Sequence, residues 1–363
     1  MTPGLVSVVR GGPSGLAAAI ALARQDIPVT VYEQHRDVGV RFHGDFQGLE
    51  NWTSEEDVLS WLAGLGIALD CRYRPTHEVT LVDPALVPAQ VRADRPLLYL
   101  VKRGSDADSL DSCLRVQAET AGVRFEFGRR VDPGDLPEPV IVATGPRGTQ
   151  AVVAGIVAET SHPDQLVVIA RDSLAPKCYA YCIVWRGRAT LAAALAREFH
   201  SAWQCFERAR AAFAILGLSE FHHEHRFGGR ANICLRRQLV QARRLYVGEA
   251  AGLQDYLLGF GLRYALLSGH LAARSLLTGE PYAGPVSRCL REHFRAGFVN
   301  RLLYNQLGDR GYRWFIRWMH RGGDVRQRAR RVYSLTPLHR VLWPLARAMA
   351  RRDGCLDVRE TTR

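Results

Sequence analysis

The sequence predicts an α/β fold: a nucleotide-type domain around a buried parallel sheet, a separate β-rich layer, and a helical C-terminus. Three observations predict it. The chain opens as strand, glycine turn, helix and strand within its first 33 residues. A buried strand, Pro139-Val-Ile-Val-Ala-Thr-Gly145, also ends in a glycine turn. Far downstream, Leu245-Tyr-Val-Gly-Glu-Ala-Ala-Gly-Leu-Gln-Asp-Tyr-Leu-Leu-Gly-Phe-Gly-Leu262 repeats the move from apolar strand to glycine turn to helix.

Each element has a local reason. Leu5–Val9 and Pro28–Tyr32 are short runs rich in β-branched residues, and the Ala/Leu-rich Ser14–Arg24 between them reads as a helix, which makes a βαβ start. Residues 36–52 read as a Gly- and aromatic-rich connection, followed by a helix at Ser54–Leu65. Strand patterns recur at Glu78–Val82, Leu97–Val101 and Val123–Phe127, with a helix at Asp106–Ala121. Residues 150–235 are richer in β patterns, with Leu166–Ala170, Tyr179–Val184 and Ala189–Ala194 as strands of a second sheet and one helix near Arg197–Ala212. Phe260–Leu277 is a helix, and from about Val286 the chain is helical, interrupted by Gly322-Gly323 and punctuated by Pro337 and Pro344. The expected domains are 1–150 with 236–284 (part of the second layer coming from 70–102), 151–235, and a C-terminal segment 285–363.

A chain of 363 residues buries a large core, and no repeat or low-complexity run argues for disorder. The N-terminus runs straight into a strand with no signal-peptide pattern, and no apolar run is long enough for a spanning helix. The eight cysteines form no metal-type pairs, so a reduced cytoplasmic protein is expected. The charge is uneven. Residues 285–363 hold 18 Arg and no Lys against 6 acidic residues, which accounts for the whole net charge of +12. Trp314, Phe315, Trp318, Tyr333 and Trp343 interleave with these arginines. That pattern suits either a peripheral contact of residues 285–352 with an anionic membrane, on its inner face, or a solvated arginine-rich surface. No nucleic-acid motif accompanies the charge, so no nucleic-acid partner is expected.

Three motifs carry chemistry. In Arg10-Gly-Gly-Pro-Ser-Gly15 the glycines permit a tight turn and close approach of backbone to a pyrophosphate, and the following helix offers free N–H groups. Gly12, Pro13, Ser14 and Gly15 are the phosphate-side candidates. Glu33, eighteen residues after Gly15, ends the second strand where a carboxylate accepts ribose hydroxyls, with Gln34 beside it. Arg10 stands where the pattern has its first glycine. Ala143, Thr144 and Gly145 form a turn that passes a cofactor. In the downstream motif Glu249, after Gly248, is placed to accept a polyol hydroxyl, and the helix beginning at Gly259-Phe-Gly-Leu262 points its N-terminus at developing negative charge.

Together these motifs resemble the two halves of an FAD site. The chain resembles FAD-dependent oxidoreductases of the p-hydroxybenzoate-hydroxylase-like class and is most similar there to the geranylgeranyl reductase family, over roughly residues 4–280. The resemblance implies a discontinuous Rossmann-like FAD-binding domain, a β-rich substrate layer and FAD as cofactor, with NAD(P)H or an electron-carrier protein as reductant. Gly252 stands where the hydroxylases have His. Arg41-Phe-His-Gly-Asp-Phe-Gln-Gly48 takes the place of the family's flavin-proximal loop. Arg103 sits where such proteins place an arginine near the cofactor. Glu249 and Tyr256 depart from the family's Asp and Pro. Lys177-Cys-Tyr-Ala-Tyr-Cys-Ile-Val-Trp185 loosely resembles its aromatic substrate strand, making Tyr179, Tyr181 and Trp185 substrate candidates.

The implied activity is reduction of alkene bonds in a polyprenyl, geranylgeranyl-type lipid, with His43 or Asp45 as proton donor. A monooxygenase or halogenase is the alternative on the same fold, although the halogenase run Trp-x-Trp-x-Ile-Pro is absent, as is an Asp-Gly motif fitting the hydroxylases. A degenerate flavoprotein without redox activity is the third. His222-His-Glu-His225 lacks flanking ligands, and no metal is expected.

Overall fold

The computed structural model describes residues 4–232 and 238–353. The expected boundary at 235/236, residues 1–3 and residues 354–363 lie outside the described residues, as do Cys234 and Cys355. In chain order the elements are β1 (Val6–Val9), α1 (Pro13–Ala23), β2 (Val29–Tyr32), β3 (Phe46–Glu50), α2 (Val58–Gly64), β4 (Tyr73–Thr76), β5 (Glu78–Val82), β6 (Pro88–Arg92), β7 (Leu98–Lys102), α3 (Leu110–Thr120), β8 (Arg124–Glu126) and β9 (Val140–Val142). They continue with β10 (Ala151–Glu159), β11 (Gln165–Ile169), β12 (Ala180–Trp185), β13 (Arg188–Leu195), α4 (Ala202–Ile215), β14 (His222–Ala231), β15 (Val240–Gln241), β16 (Arg244–Tyr246), α5 (Leu262–Thr278), α6 (Ala283–His320), α7 (Val325–Val332) and α8 (Pro337–Arg352).

The first sheet has the order β15-β16-β9-β1-β2-β8 and is parallel apart from the β15–β16 hairpin. Its central strands β1 and β9 are buried at every position, as expected for strands covered on both faces. α1 and α5 cover one side. Small residues let them meet: a Cβ at Gly269 would lie 2.1 Å from the carbonyl oxygen of Ser14.

A seven-stranded sheet, β14-β10-β13-β12-β11-β5-β6, forms the second layer, antiparallel except between β11 and β5. The period-2 alternation of β12 divides its neighbours. Ala180, Cys182 and Val184 pack under α4 with Phe206 and Phe213, whereas Ile183 and Trp185 face an apolar layer with Phe46, Trp52, Leu98 and Leu257.

A third sheet, β3-β7-β4, joins the two. Residues 36–52, expected as a connection, contain β3, which pairs antiparallel with β7 from Phe46↔Lys102 to Glu50↔Leu98. Gly48 belongs there because a Cβ would sit 2.9 Å from the Phe260 ring. β4, β6, β10, β14 and β15 are not among the individually expected strands either, and β14 has the weakest local signature. Nearly all its side chains are exposed, so it has no apolar alternation to announce it.

From Ala283 to Arg352 the chain is largely helical. Gly308, at φ 55°, kinks α6 in mid-course, and Gly322-Gly323 separates α6 from α7. Pro337 starts α8 behind the Thr336 cap, while Pro344 lies inside it. Among the described residues no helix is long and apolar enough to cross a membrane.

Candidate active site

The glycine loop is shaped by its backbone. β1 ends at Val9, and Arg10 takes φ 85°, a left-handed conformation that costs an L-residue about 1–2 kcal/mol. Arg10 therefore adopts the turn that the pattern assigns to glycine. The next amide, of Gly11, donates to Glu33 Oε2 at 2.9 Å, and the His35 amide donates to Oε1 at 3.0 Å. These bonds orient the buried Glu33 carboxylate and leave it two acceptor positions, enough for a ribose diol.

The glycines of the loop differ in what surrounds them. A Cβ on Gly15 would lie 2.3 Å from the Arg10 carbonyl oxygen and 3.1 Å from Ala143 Cβ, so Gly15 serves helix–strand contact. A Cβ on Gly12 would meet nothing within 4 Å. Gly12 caps α1 without a side-chain bond, and Pro13 opens the helix. The helix thus presents uncapped N–H groups and its positive end to open space at Gly12. Arg10 Nη1 and Thr144 Oγ1 are buried without partners, and burial pushes the Arg10 guanidinium pKa down. Uncapped amides, an open glycine face, an oriented carboxylate and unpaired polar atoms fit a dinucleotide.

The downstream motif joins this loop directly. A Cβ on Gly248 would be 2.6 Å from Ser14 Oγ, and the Gly248 amide donates to Ser268 Oγ at 2.8 Å. Glu249 Oε1 accepts the Asn232 amide at 2.9 Å. Burial pushes its carboxyl pKa up, against the Asn232 bond and the charges of Arg41, Arg103 and Arg230. Gly259 has φ 81°, and Gly261 caps α5, whose first residue is Leu262, again without a side-chain bond.

Sequence reasoning missed what holds this second loop. Buried Asp255 accepts the amides of Leu257 at 3.0 Å and Leu258 at 2.8 Å, and the Tyr333 hydroxyl at 2.9 Å. Buried Arg301 on α6 donates to the carbonyls of Tyr256 (3.0 Å), Leu257 and Lys177 (2.7 Å). Tyr179 donates to the Leu258 carbonyl at 2.6 Å. The C-terminal helices thereby fasten the cofactor-side loop to the start of β12. Asp255 lay inside the quoted motif, but nothing near Arg301 or Tyr333 signals a partner in the sequence.

The remaining candidates form a polar cluster where β3 and β7 meet. Every nitrogen of buried Arg103 has a side-chain partner: Nε and Nη2 grip Asp111 at 2.8 Å each, and Nη1 donates to Gln47 Oε1 at 2.7 Å. Its guanidinium also lies 4.0 Å from the centre of the Phe42 ring. Arg103 thus holds the 42–47 loop. Gln47 Nε2 donates to Asp45 Oδ2 at 3.0 Å, and the His43 amide to Oδ1 at 3.3 Å. Asp45 is buried, and desolvation pushes its pKa up against the charge of Arg103. His43 is exposed; its ring lies 4.1 Å from that of His225, and burial and His225 push its pKa down. Gln34 is half-buried and bonds His35 at 3.0 Å.

Tyr181, whose hydroxyl pKa is raised by burial first and then by Asp45, looks over this cluster from β12. Trp185 is buried against Phe46 at 5.4 Å between ring centres. Gly145 lies near Arg41: a Cβ there would be 3.8 Å from Arg41 Nη1. Loop, Ala-Thr-Gly turn, downstream motif and polar cluster therefore converge. Trp185 lies in the apolar packing, and His43 points outward. The His222–His225 run is exposed, and among the described residues no group of three or more His, Cys, Asp or Glu could hold a metal.

An NAD(P)-binding Rossmann-like domain family matches residues 8–47. No curated protein matches the chain. Among solved structures, a geranylgeranyl bacteriochlorophyll reductase-like protein from Thermoplasma acidophilum is similar at TM-score 0.70 and 14% identity, covering 96% of this chain and 100% of that one. A flavoprotein/dehydrogenase from Cytophaga hutchinsonii follows at 0.65 and 13%, covering 96% and 99%. The flavin-dependent brominase Bmp2 is similar at 0.62 and 14%, covering 96% and 99%. The fold is that of flavin-dependent oxidoreductases.

Proposed function

We propose that this chain is an FAD-dependent oxidoreductase that reduces alkene bonds of a polyprenyl lipid. The supporting observation is the pairing of two surfaces. One is the open, amide-lined face at Gly12, continuous with Glu33, Ala143 to Gly145 and Gly248-Glu249. The other is a buried apolar cluster of Phe46, Trp52, Ile183, Trp185 and Leu257, with Tyr181 and Phe260 packed against it, which would have to part to line a substrate channel. An apolar wall favours a long hydrocarbon over a charged aromatic acid.

Bound FAD supplies a hydride carrier drawing electrons from NAD(P)H or an electron-carrier protein. The chain's residues position and protect it. The α1 amides and Gly12 receive the pyrophosphate, Glu33 the ribose and Glu249 the ribityl chain. The N-terminus of α5 at Gly261 and Leu262 favours negative charge at the pyrimidine end. Tyr179 holds the Leu258 carbonyl, and the aromatic wall excludes water from the alkene. Asp45, with its raised pKa, is the better proton donor to the neighbouring carbon. It is buried and oriented by two hydrogen bonds, whereas the exposed His43 ring rests on His225.

The test is a visible spectrum of the purified protein, then anaerobic reduction with a geranylgeranyl lipid in detergent. Bound flavin and a product heavier by two hydrogens per reduced bond support the proposal. A flavin–oxygen adduct in air with no lipid reduction favours oxygen chemistry. Protein that stays colourless after FAD addition favours a non-redox role.

A further inference from the structure

The arginine-rich C-terminus divides into two populations. Arg301 and Arg326 are buried. Arg326 donates to the carbonyls of Asn51 and Ser54 at 2.7 Å each. Arg313 pairs with Asp83 at 3.1 Å, Arg328 bonds the carbonyls of Met319 and Gly322, and Arg330 pairs with Glu55. These groups are engaged within the protein. α8 differs. Its inner side is anchored on α6: His339 bonds Asn300 at 3.1 Å, and Ala346 and Ala350 pack on Phe298, Val299 and Leu302.

The outer side of α8 is apolar. Leu338 is 54% exposed, Val341 75% and Leu345 58%, and Pro344 and Ala348 are exposed beside them. At helical spacing these five positions form one stripe. Residues 337–352 contain no acidic side chain, while exposed Arg340 and Arg351 run along one margin of the stripe and Arg352 closes its C-terminal end, 3.6 Å from Asp353. An ordinary solvated helix puts its charges outermost and its aliphatic residues inward. Here the outermost side chains are aliphatic, with cations along one edge and at the C-terminal end. An anionic bilayer surface matches both parts, since acyl chains take the aliphatic stripe and lipid phosphates take the guanidinium rim.

We propose that α8 docks the protein on anionic lipid bilayers, with Leu338, Val341 and Leu345 in the headgroup–acyl boundary and Arg340 and Arg351 at phosphate level. This inference concerns a face apart from the FAD site and does not rest on the redox proposal.

The experiment is co-sedimentation of the full chain with phosphatidylcholine vesicles that contain or lack phosphatidylglycerol. The parent is expected to sediment with the phosphatidylglycerol vesicles and to remain in solution with phosphatidylcholine alone. The Val341→Glu/Leu345→Glu double variant should lose at least about tenfold in partitioning. Arg340→Gln/Arg351→Gln should lose roughly fivefold per arginine, at about 1 kcal/mol each near such a surface. These side chains are exposed, so thermal unfolding and flavin content should match the parent, which separates loss of docking from misfolding. Three results would overturn the proposal. One is no sedimentation of the parent with anionic vesicles. Another is equal binding by the double variant. The third is self-association of the parent, abolished by Val341→Glu, without vesicle binding; that would assign the stripe to a second copy.

Discussion

Gly12 and Gly15 stand three residues apart in one loop, and the structure gives their alanine variants opposite consequences. A methyl group at Gly15 would lie 2.3 Å from the Arg10 carbonyl oxygen and 3.1 Å from Val8 Cγ1 and Ala143 Cβ. Backbone cannot step aside as a flexible side chain can, so strand and helix must separate. Overpacking of this kind costs about 1–3 kcal/mol. At about 2–4 °C per kcal/mol for a domain of 150–250 residues, the FAD-free Gly15→Ala protein should melt roughly 2–12 °C below the parent. At Gly12 the backbone is φ −78°, ψ 172°, which any residue adopts, and a Cβ would touch nothing. The loss there is the helix-cap preference of Gly over Ala, up to about 1 kcal/mol. The same methyl would occupy the approach of a pyrophosphate to the α1 amides, so FAD affinity should fall at least about tenfold, or 1.4 kcal/mol. Circular-dichroism melts of the FAD-free proteins and titration of flavin fluorescence quenching measure the two effects separately. Gly12→Ala binding FAD as tightly as the parent would refute the assignment of this face to the cofactor. Gly15→Ala melting with the parent would refute the packing argument.

Three further outcomes are expected. Arg10→Gly relieves the positive φ and should raise the stability of the FAD-free protein by about 0.5–1 kcal/mol in urea unfolding, while lowering FAD affinity, because Arg10 Nη1 is buried without a protein partner beside the loop. Arg301→Met strands three carbonyls and should cost about 2–4 kcal/mol, with faster loss of flavin on dilution; unchanged flavin retention would show that α6 does not hold the 255–261 loop. Asp45 has its pKa raised by burial, so its ionisation is less favourable folded than unfolded. The stability it contributes is present at low pH and is lost as pH rises from the ordinary value of 3.8 through the raised one; Asp45→Asn should flatten the pH dependence of unfolding in that window. As a proton donor Asp45 acts when protonated, so lipid reduction should decline above its raised pKa, and a rate profile unchanged in Asp45→Asn would remove it from the reaction.

Much of the fold was legible because its signals are local. Val6–Val9 and Val140–Val142 are buried at every position and read as central strands from composition. Five of the helices lie within a few residues of the expected spans: α1, α2, α3, α5 and α4, the last displaced toward Ile215. β3 and β14 were not legible. One is a glycine- and aromatic-rich stretch whose pairing depends on β7 and Phe260, and the other is an edge strand with polar side chains on both faces. In the site, Glu33 accepts the Gly11 amide, Gly15 meets Arg10 and Ala143, and Gly248 meets Ser14. Arg103 and His43 took part of their surroundings from distant chain, Gln47 for one and His225 for the other.

The sequence by itself determined the α/β class, the glycine loops and the carboxylate that closes the first of them, because turns, caps and buried runs are specified by neighbours along the chain. Only the tertiary structure decided the fate of the C-terminal arginines. Arg301 reaches carbonyls 44 and 45 residues away and 124 residues away, and Arg326 reaches one 275 residues away. Whether a guanidinium meets a carbonyl, a carboxylate or solvent depends on which surfaces fold against it, and residue type and spacing carry no record of that.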